Sequence, residues 1–416
     1  MSNGIVTEKR DLRTGKPVWL DATGVRVRCR SRIPRKAAIV IVGAGISGAM
    51  LAYRLRRHGR EVLVVDRREP LHGSTAASTA LVQFEIDTPL HKLARMIARE
   101  GAERAWRRAV AAVREIGAIV KAERIHCGWR EAESLYVAGD AFGYRALQEE
   151  AAARAAAGVP GIFVDAAELR DRFGIGRTGA ILSSGSVQAN PMQLAAGLFR
   201  RAAAKGVRIC SPVAIKAIAA DSSDVTLTTD DGMEIAARHV VFCTGYEVLK
   251  PIPDQNHTIK STWAFASSPN AKAPQWLDRH LVWEASDPYL YLRRTRDGRI
   301  VAGGEDEAFA NTHANPKLLV EKTDLIAEKL HALIPGLRFR IAYRWAGAFG
   351  ESTTGLPFID AVPGRPNCYA VLGFGGNGIT YAMIAADVVA AMLDGREDSD
   401  ADLYRFNAYT KKTRGS

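Results

Sequence analysis

Gly43, Gly45 and Gly48 stand in the spacing G-x-G-x-x-G, and Asp66 ends the next apolar run. That set can hold a pyrophosphate. Gly43 permits a tight turn, Gly45 lets a phosphate approach the backbone, and Gly48 lets a helix lie close to a strand. A helix starting there also offers free N–H groups and a positive dipole end. A carboxylate at Asp66 accepts hydrogen bonds from an adenosine ribose and repels a ribose 2′-phosphate, which disfavours NADP despite the following Arg67 and Arg68.

The motif carries meaning only between a strand and a helix. Ala38 to Val42 is rich in β-branched residues and predicts a buried parallel strand; Met50 to Arg56 predicts a helix with a charged far face. Val62 to Val65 predicts the second strand, ending at Asp66. The competing reading of Ala37 to Leu55 is a membrane span. Its uncharged part, Ala37 to Tyr53, barely reaches the roughly 18–20 residues a span needs. Three glycines inside it would each cost about 1 kcal/mol of helix propensity. The nucleotide clasp is the better reading.

Two more G-x-G-x-x-G matches test that logic. Gly174 to Gly179 follows the helix-like "DAAELRDRF" and leads into "AILSSGSVQANP", which is no helix, so it is read as an accidental loop match. Gly373 to Gly378 follows the strand-like Cys368 to Leu372 and precedes the helix-like "ITYAMIAADVVAAMLDG", but no second strand or acidic strand end comes after it. One complete unit plus one anion-favouring helix start suit a long cofactor held at both ends. The first would take adenosine diphosphate and the second the electron-rich edge of an isoalloxazine, so FAD fits better than NAD.

The chain has 416 residues, enough for two ordinary domains, and its 47% hydrophobic and 25% charged residues are those of a globular protein. Five scattered cysteines without a CxxC predict a reducing compartment, and Met1 to Arg13 lacks the apolar core of a secretory signal; a cytoplasmic enzyme without a transmembrane segment is expected. The net charge of +12 is densest in "VRVRCRSRIPRK", Val25 to Lys36. Without interleaved aromatics for base stacking, this stretch reads as a half-exposed strand or arm with solvated arginines, and no nucleic-acid partner is expected.

From Val40 to about Gly395 the chain resembles the FAD-dependent D-amino-acid oxidase family, the group of glycine, sarcosine and D-amino-acid oxidases and dehydrogenases. The resemblance is carried, in order, by "VIVGAGISGAMLAYRL…VLVVDRR", "HGSTAASTALV", "GSVQANPMQLAAGLFRRAAAKGVRI", "RHVVFCTGYE", "YLRRTRDGRIVAGGED" and "RWAGAFGESTTGLPFID…NCYAVLGFGGNGITYA". It implies that Gly43, Gly45, Ile46, Ser47 and Gly48 hold the pyrophosphate, and Asp66 with Arg67 the adenosine end. It also puts Ser74 and Thr75 near the flavin, Val213 at adenine, and Thr244-Gly245 at the end of a strand over the dinucleotide. Gly375, Gly376, Asn377, Gly378 and Ile379 would face the pyrimidine edge. Two departures matter. Ala76-Ala77 follow Gly73-Ser74-Thr75 where some relatives carry a flavin-linking histidine, and Gly347 to Phe358 holds no cysteine, so non-covalent FAD is expected. Val301 falls where sarcosine-oxidase-like members carry an oxygen-activating lysine, which leaves oxygen, a quinone or a carrier protein as electron acceptors.

Amine oxidation by a flavin asks the protein for orientation, a dry pocket and a neutral amine. An amino-acid carboxylate calls for an arginine fork. In "DPYLYLRRTRDGRIVAGG", strand alternation puts Tyr289, Tyr291 and Arg293 on one face. These three are the candidate substrate-positioning residues, with Arg293 preferred to Arg294. Gln83, Phe84 and Glu85 are candidate pocket residues, Trp345 is expected beneath the flavin, and His72 in a solvated turn. No histidine or cysteine spacing implies a metal.

The predicted fold is α/β, a Rossmann-like FAD-binding domain with an α+β substrate domain on a mixed sheet. The expected FAD-binding segments are 36–85, 165–250 and 340–395, with 86–164 and 251–339 forming the substrate domain, 1–35 an arm and 396–416 a tail. Helices are expected over 89–115 and 140–156, and "VTLTTDDGMEI" as a hairpin with an Asp-Gly turn. The expected activity is oxidation of the C–N bond of an amino acid or related amine. Glycine, N-methyl amino acids, D-amino acids and γ-glutamylated polyamines are all admissible substrates. Alternatives are a flavoprotein subunit of a multi-component dehydrogenase and the oxidase part of a tRNA-modification enzyme.

Overall fold

The computed structural model describes residues 10–56, 59–247, 257–308 and 311–409; the start of the expected arm, the end of the expected tail and residues 251–256 of the expected substrate domain lie outside them. Two sheets, of eight and ten strands, organise the chain. The smaller is built on parallel strands. Lys36–Val42 lies between Val62–Val65 and Glu234–Phe242, with Cys368–Leu372 beyond the latter and Arg208–Cys210 beyond Val65. Ile39, Val40 and Ile41 are fully buried, as a strand covered on both faces requires. The predicted hairpin is present: Val225–Thr229 pairs antiparallel with Glu234–Phe242, and Gly232 supplies the positive φ of 83° at the turn.

The opening stretch folds as strand Lys36–Val42, turn, and helix Ile46–Leu55. Helix Gly378–Leu393 packs on that helix. The segment Gly375–Leu393 is long and apolar enough to cross a membrane, yet 78% of it is buried inside the protein, which explains its composition as that of a core helix. The accidental motif behaves as expected: Gly174 ends helix Ala166–Phe173 in the left-handed conformation, and Gly179 begins a strand.

The larger sheet runs in the order Arg13–Gly15, Ile341–Ser352, His257–Ser267, Ile300–Glu307, Leu290–Arg294, His280–Ala285, Arg130–Ala138, Gly179–Gln188 and Leu81–Val82. Helix Pro316–Leu333 covers one face, burying Ile326, Leu330 and Leu333 against Trp263, Phe265 and Leu292. The opposite face carries Thr262, Ala264, Tyr291, Trp345 and Gly347 on three strands, with Gly303 of the strand between standing opposite Ala264 and Tyr291.

Several expectations shift. Gly179–Gln188 and Ile341–Ser352, expected in the dinucleotide unit, are strands of the larger sheet, because their ladders run to Arg130–Ala138 and His257–Ser267. The helical region 89–115 is two helices, Leu90–Ile97 and Arg99–Ala122, broken at Ala98 with φ 67°. The longer one packs on Gly378–Leu393 in the core of the dinucleotide unit. The second predicted helix starts late, at Tyr144, after the Gly143 cap. The arginine-rich arm forms no strand, but its alternation survives: Val25, Val27 and Cys29 are half-buried between exposed Arg26, Arg28 and Arg30.

The two motifs predict opposite responses to the same substitution. A Cβ at Gly48 would lie 1.9 Å from the Gly43 carbonyl oxygen, whereas one at Gly176 meets nothing within 4 Å. Gly48→Ala should lower unfolding free energy by about 1–3 kcal/mol or prevent folding, by the cost of overpacking. Gly176→Ala should stay within about 0.5 kcal/mol in the same denaturant titration. Equal responses would mean the first motif is not built on that contact.

Candidate active site

A cavity with about 1590 Å³ of empty space, counting its open mouth, lies between the smaller sheet and the free face of the larger one. Gly43, Gly45, Ile46 and Ser47 form one end. Gly43 takes φ 117°, and a Cβ there would come within 2.2 Å of the Cys243 carbonyl oxygen. Gly48 is behind this wall, and its part is the close packing just described. The Ile46 N–H donates to Thr75 Oγ1 at 2.9 Å, tying the helix start to the Ser74–Ala77 turn.

Asp66 lines the same end and braces the turn. Its carboxylate accepts from the Ala44 N–H at 2.6 Å and the Arg68 N–H at 2.8 Å. Burial raises its pKa; these N–H groups and the Arg68 guanidinium oppose the rise. Arg67, Val213, Thr244 and Gly245 also line the cavity. The Val213 N–H already donates to the Asp66 carbonyl at 2.7 Å, which leaves the Val213 carbonyl for a ligand. Arg68 grips Glu247 with both terminal nitrogens, at 2.7 and 2.8 Å.

Further along, Ser74 Oγ is buried with no hydrogen-bond partner and belongs to the cavity wall. A buried hydroxyl without a partner is costly unless a ligand satisfies it. The turn after it is held from beneath through three successive carbonyls. Trp345 Nε1 donates to Ala77 O at 2.8 Å, Trp19 Nε1 to Ser78 O at 2.7 Å, and Arg293 Nε to Thr79 O at 2.7 Å. Trp345 is thus the expected packing residue in the cavity floor, and it carries a hydrogen bond as well.

Gly375, Gly376, Gly378 and Ile379 form the far wall. Asn377 does not: its side chain turns inward and donates to the Glu85 carbonyl at 2.5 Å, as Thr380 does to the Gln83 carbonyl at 2.7 Å. Gln83, Phe84 and Glu85 therefore hold the helix start and are not in the cavity wall. Phe84 packs edge-on to Trp106, and the Glu85 carboxylate, fully buried, accepts from Ser186 Oγ at 3.3 Å. His72 sits in its turn 3.6 Å from Glu69, outside the wall as expected.

The substrate-side expectations divide. Tyr289 and Tyr291 face the cavity with ring centroids 5.5 Å apart, and burial pushes both phenols up. Arg293 shares their strand face but lies past the cavity. It is 2% exposed, it donates to the Thr79 and Ala189 carbonyls, and its guanidinium sits 5.0 Å from the Trp19 ring. Desolvation and neighbouring Arg130 pull its pKa down to about 9. Arg294 points to the opposite face and pairs with Asp278 at 2.7 Å. Neither arginine is among the residues that line the cavity. Val301, opposite Arg293 in the ladder, is fully buried and outside the wall; Thr262 and Ala264 line the cavity on that sheet instead. Thr262, Tyr246, Phe349 and Phe374 line the cavity without having been singled out in the sequence, where only strand alternation from Trp345 pointed at Phe349.

Arg293→Met therefore tests a structural donor against a ligand holder. Leaving two buried carbonyls unpaired should cost about 2–6 kcal/mol of stability, with melting temperature the readout. Unchanged stability with weakened binding of a carboxylate ligand would restore Arg293 to the site.

The site agrees with what the chain is similar to. The family described as "FAD dependent oxidoreductase" matches residues 38–392. A probable oxidoreductase, OrdL, of Rhizobium meliloti is 24% identical over 89% of this chain and 86% of its own length. An uncharacterized oxidoreductase, YurR, of Bacillus subtilis is 26% identical over 86% of this chain and 95% of its own. Among solved structures, glycine oxidase from Geobacillus kaustophilus superposes with TM-score 0.73 at 17% identity, covering 92% of this chain and 100% of that one. L-proline dehydrogenase from P. horikoshii gives 0.74 at 18%, covering 90% and 98%. With residues 38–392 inside the family's bounds, most of its length, the chain belongs to the FAD dependent oxidoreductase family.

Proposed function

We propose that the protein oxidises the carbon–nitrogen bond of an amino acid or related amine to an imine, which water then hydrolyses. The observation that carries this reading is one cavity running from a dinucleotide clasp to a tyrosine-bearing sheet face. The names of the neighbouring structures, glycine oxidase and L-proline dehydrogenase, support the substrate class.

The residues present fit FAD. Glycines leave room at both ends, where a Cβ at Gly45 would already touch Thr75 Oγ1 at 3.1 Å, and the unpartnered Ser74 Oγ offers a hydrogen bond between them. Gly43, Gly45, Ile46, Ser47 and, by packing, Gly48 would hold the pyrophosphate; Asp66, Arg67 and Val213 the adenosine; Ser74, Thr75, Thr244 and Gly245 the middle; Gly375, Gly376, Gly378 and Ile379 the flavin's pyrimidine edge. Bound there, FAD supplies the acceptor for the departing hydride. No covalent link is needed. Cys243 is the one thiol in the described wall, and burial pushes it up to about 12, which keeps it protonated and unreactive.

The chain's own contribution is orientation and exclusion of water. The turn at Ala77–Thr79, fixed by three donors, gives a rigid floor, while Tyr289, Tyr291, Phe349 and Phe374 make the far end apolar. Visible absorbance of the purified protein tests the proposal. A yellow protein should release free FAD on acid denaturation and lose its colour anaerobically with one member of a panel of amino acids and amines. Admitting air then shows whether oxygen is the acceptor. A protein that takes up no FAD, or one bleached by no member of the panel, overturns the proposal.

A further inference from the structure

The cavity wall at Gly375 and Gly376 is fastened by one short strap of chain. Residues 83, 85 and 87, two apart in sequence, each take a hydrogen bond from the segment that starts helix Gly378–Leu393. Thr380 Oγ1 donates to the Gln83 carbonyl at 2.7 Å, Asn377 Nδ2 to the Glu85 carbonyl at 2.5 Å, and the Gly376 N–H to the Asp87 carboxylate at 2.8 Å. The strap is itself anchored in the core. The Glu85 carboxylate, fully buried, lies 3.9 Å from the Arg154 guanidinium, which Glu150 holds at 2.8 Å.

Two of the three acceptors are carbonyls; the third is a carboxylate, so the strap brings a charge to the wall. A Cβ at Gly375 would lie 2.6 Å from Asp87 Oδ2 and one at Gly376 3.0 Å from Oδ1, so the carboxylate rests against both glycines. Glu351 belongs to the same corner through its bridge to Phe374, but it is paired with Lys260 at 2.5 Å. Asp87 is bonded to an amide, which brings no net charge to cancel its own.

We propose that Asp87 is a positioning residue that sets the reduction potential of the bound flavin, holding it lower than the helix start alone would. This rests on reading Gly375 and Gly376 as the wall at the flavin's pyrimidine edge. The N–H groups of a helix start favour negative charge in front of them, and a flavin gathers negative charge at that edge when it accepts a hydride. A carboxylate on one of those N–H groups acts in the opposite sense. It spends a donor of the helix start and sets a like charge at the wall where charge must grow. The result is a cofactor harder to reduce and readier to pass its electrons on.

The test is the flavin midpoint potential of the purified, FAD-loaded protein, measured by anaerobic equilibration with a reference dye at pH 8, where a carboxyl is ionised. Asp87 is solvent-exposed, so its replacement does not open the core. Asp87→Asn keeps an oxygen for the Gly376 N–H and removes only the charge. It should shift the two-electron equilibrium at least tenfold towards reduced flavin, about 30 mV upward. If D87N does not fold, Asp87→Ala carries the same expectation. A shift below tenfold, a shift towards oxidised flavin, or a folded D87N protein that no longer holds FAD overturns the proposal, the last by making Asp87 a structural brace. The failures separate. A wild-type protein that takes up no FAD removes the flavin reading itself; one that holds FAD, with a potential unmoved by D87N, removes only the part given to Asp87.

Discussion

The contact between Gly48 and the Gly43 carbonyl leaves no space for a methyl group, and the whole adenosine end is arranged around it. With helix and turn in van der Waals contact, the helix start at Gly45, Ile46 and Ser47 lines the cavity. Asp66 then locks the neighbouring strand end to the turn by accepting from Ala44, and the Val213 amide closes the sequence by donating to the Asp66 carbonyl. Thr75 ties in the next segment through the Ile46 N–H. Four separate stretches of chain are thereby tied together, two of the bonds accepted by the side chains of Asp66 and Thr75 and one by a backbone carbonyl. A pyrophosphate site gains from this, since its donors need no rearrangement on binding.

The larger sheet solves a different problem. One face is buried by helix Pro316–Leu333, so the other has to be closed by the cavity and its occupant. Strand parity assigns side chains to these faces, and parity would hold along the whole of Ile300–Glu307 without the bulge at Glu305, where Trp263 stands opposite Gly304 and Ser261 opposite Glu307. The bulge divides two adjacent carboxylates between two environments. Glu305 pairs with Lys329 of the covering helix, and Asp306 Oδ1 is buried without a hydrogen-bond partner. Two acidic neighbours thereby come to differ in their partners through one extra residue in a ladder.

What the sequence carried plainly was local. Spacing of glycines after a β-branched run, the acidic strand end and the Asp-Gly turn are all written within a few residues, and each appears where those residues predict. The second glycine motif was legible as a helix start, but the inward turn of Asn377 was not, because its partner is a carbonyl of the Gln83–Glu85 segment. Sheet membership of Gly179–Gln188 and Ile341–Ser352 depends on ladders with distant strands, which chain order alone does not show. The bulge at Glu305 could not be found by alternation, since a bulge at a non-glycine residue leaves no mark in the pattern. Alternation did place Tyr289, Tyr291 and Arg293 on one face; it says nothing of how far along that face the cavity extends.

Arg293 shows why that last distinction decides the chemistry. The turn that forms the cavity floor presents three successive outward carbonyls and a strained Ala80 at φ 54°, and no regular ladder satisfies them. Buried carbonyls without donors would cost about 1–3 kcal/mol each. Two indoles reach Ala77 and Ser78, but Thr79 and Ala189 must be bridged together, and a planar guanidinium with several donors spans both. The charge this buries is partly relieved by the Trp19 face. Once the guanidinium is fixed beneath the floor it cannot also meet a ligand above it. The rigidity of the floor and the position of Arg293 outside the cavity wall are two consequences of the same placement.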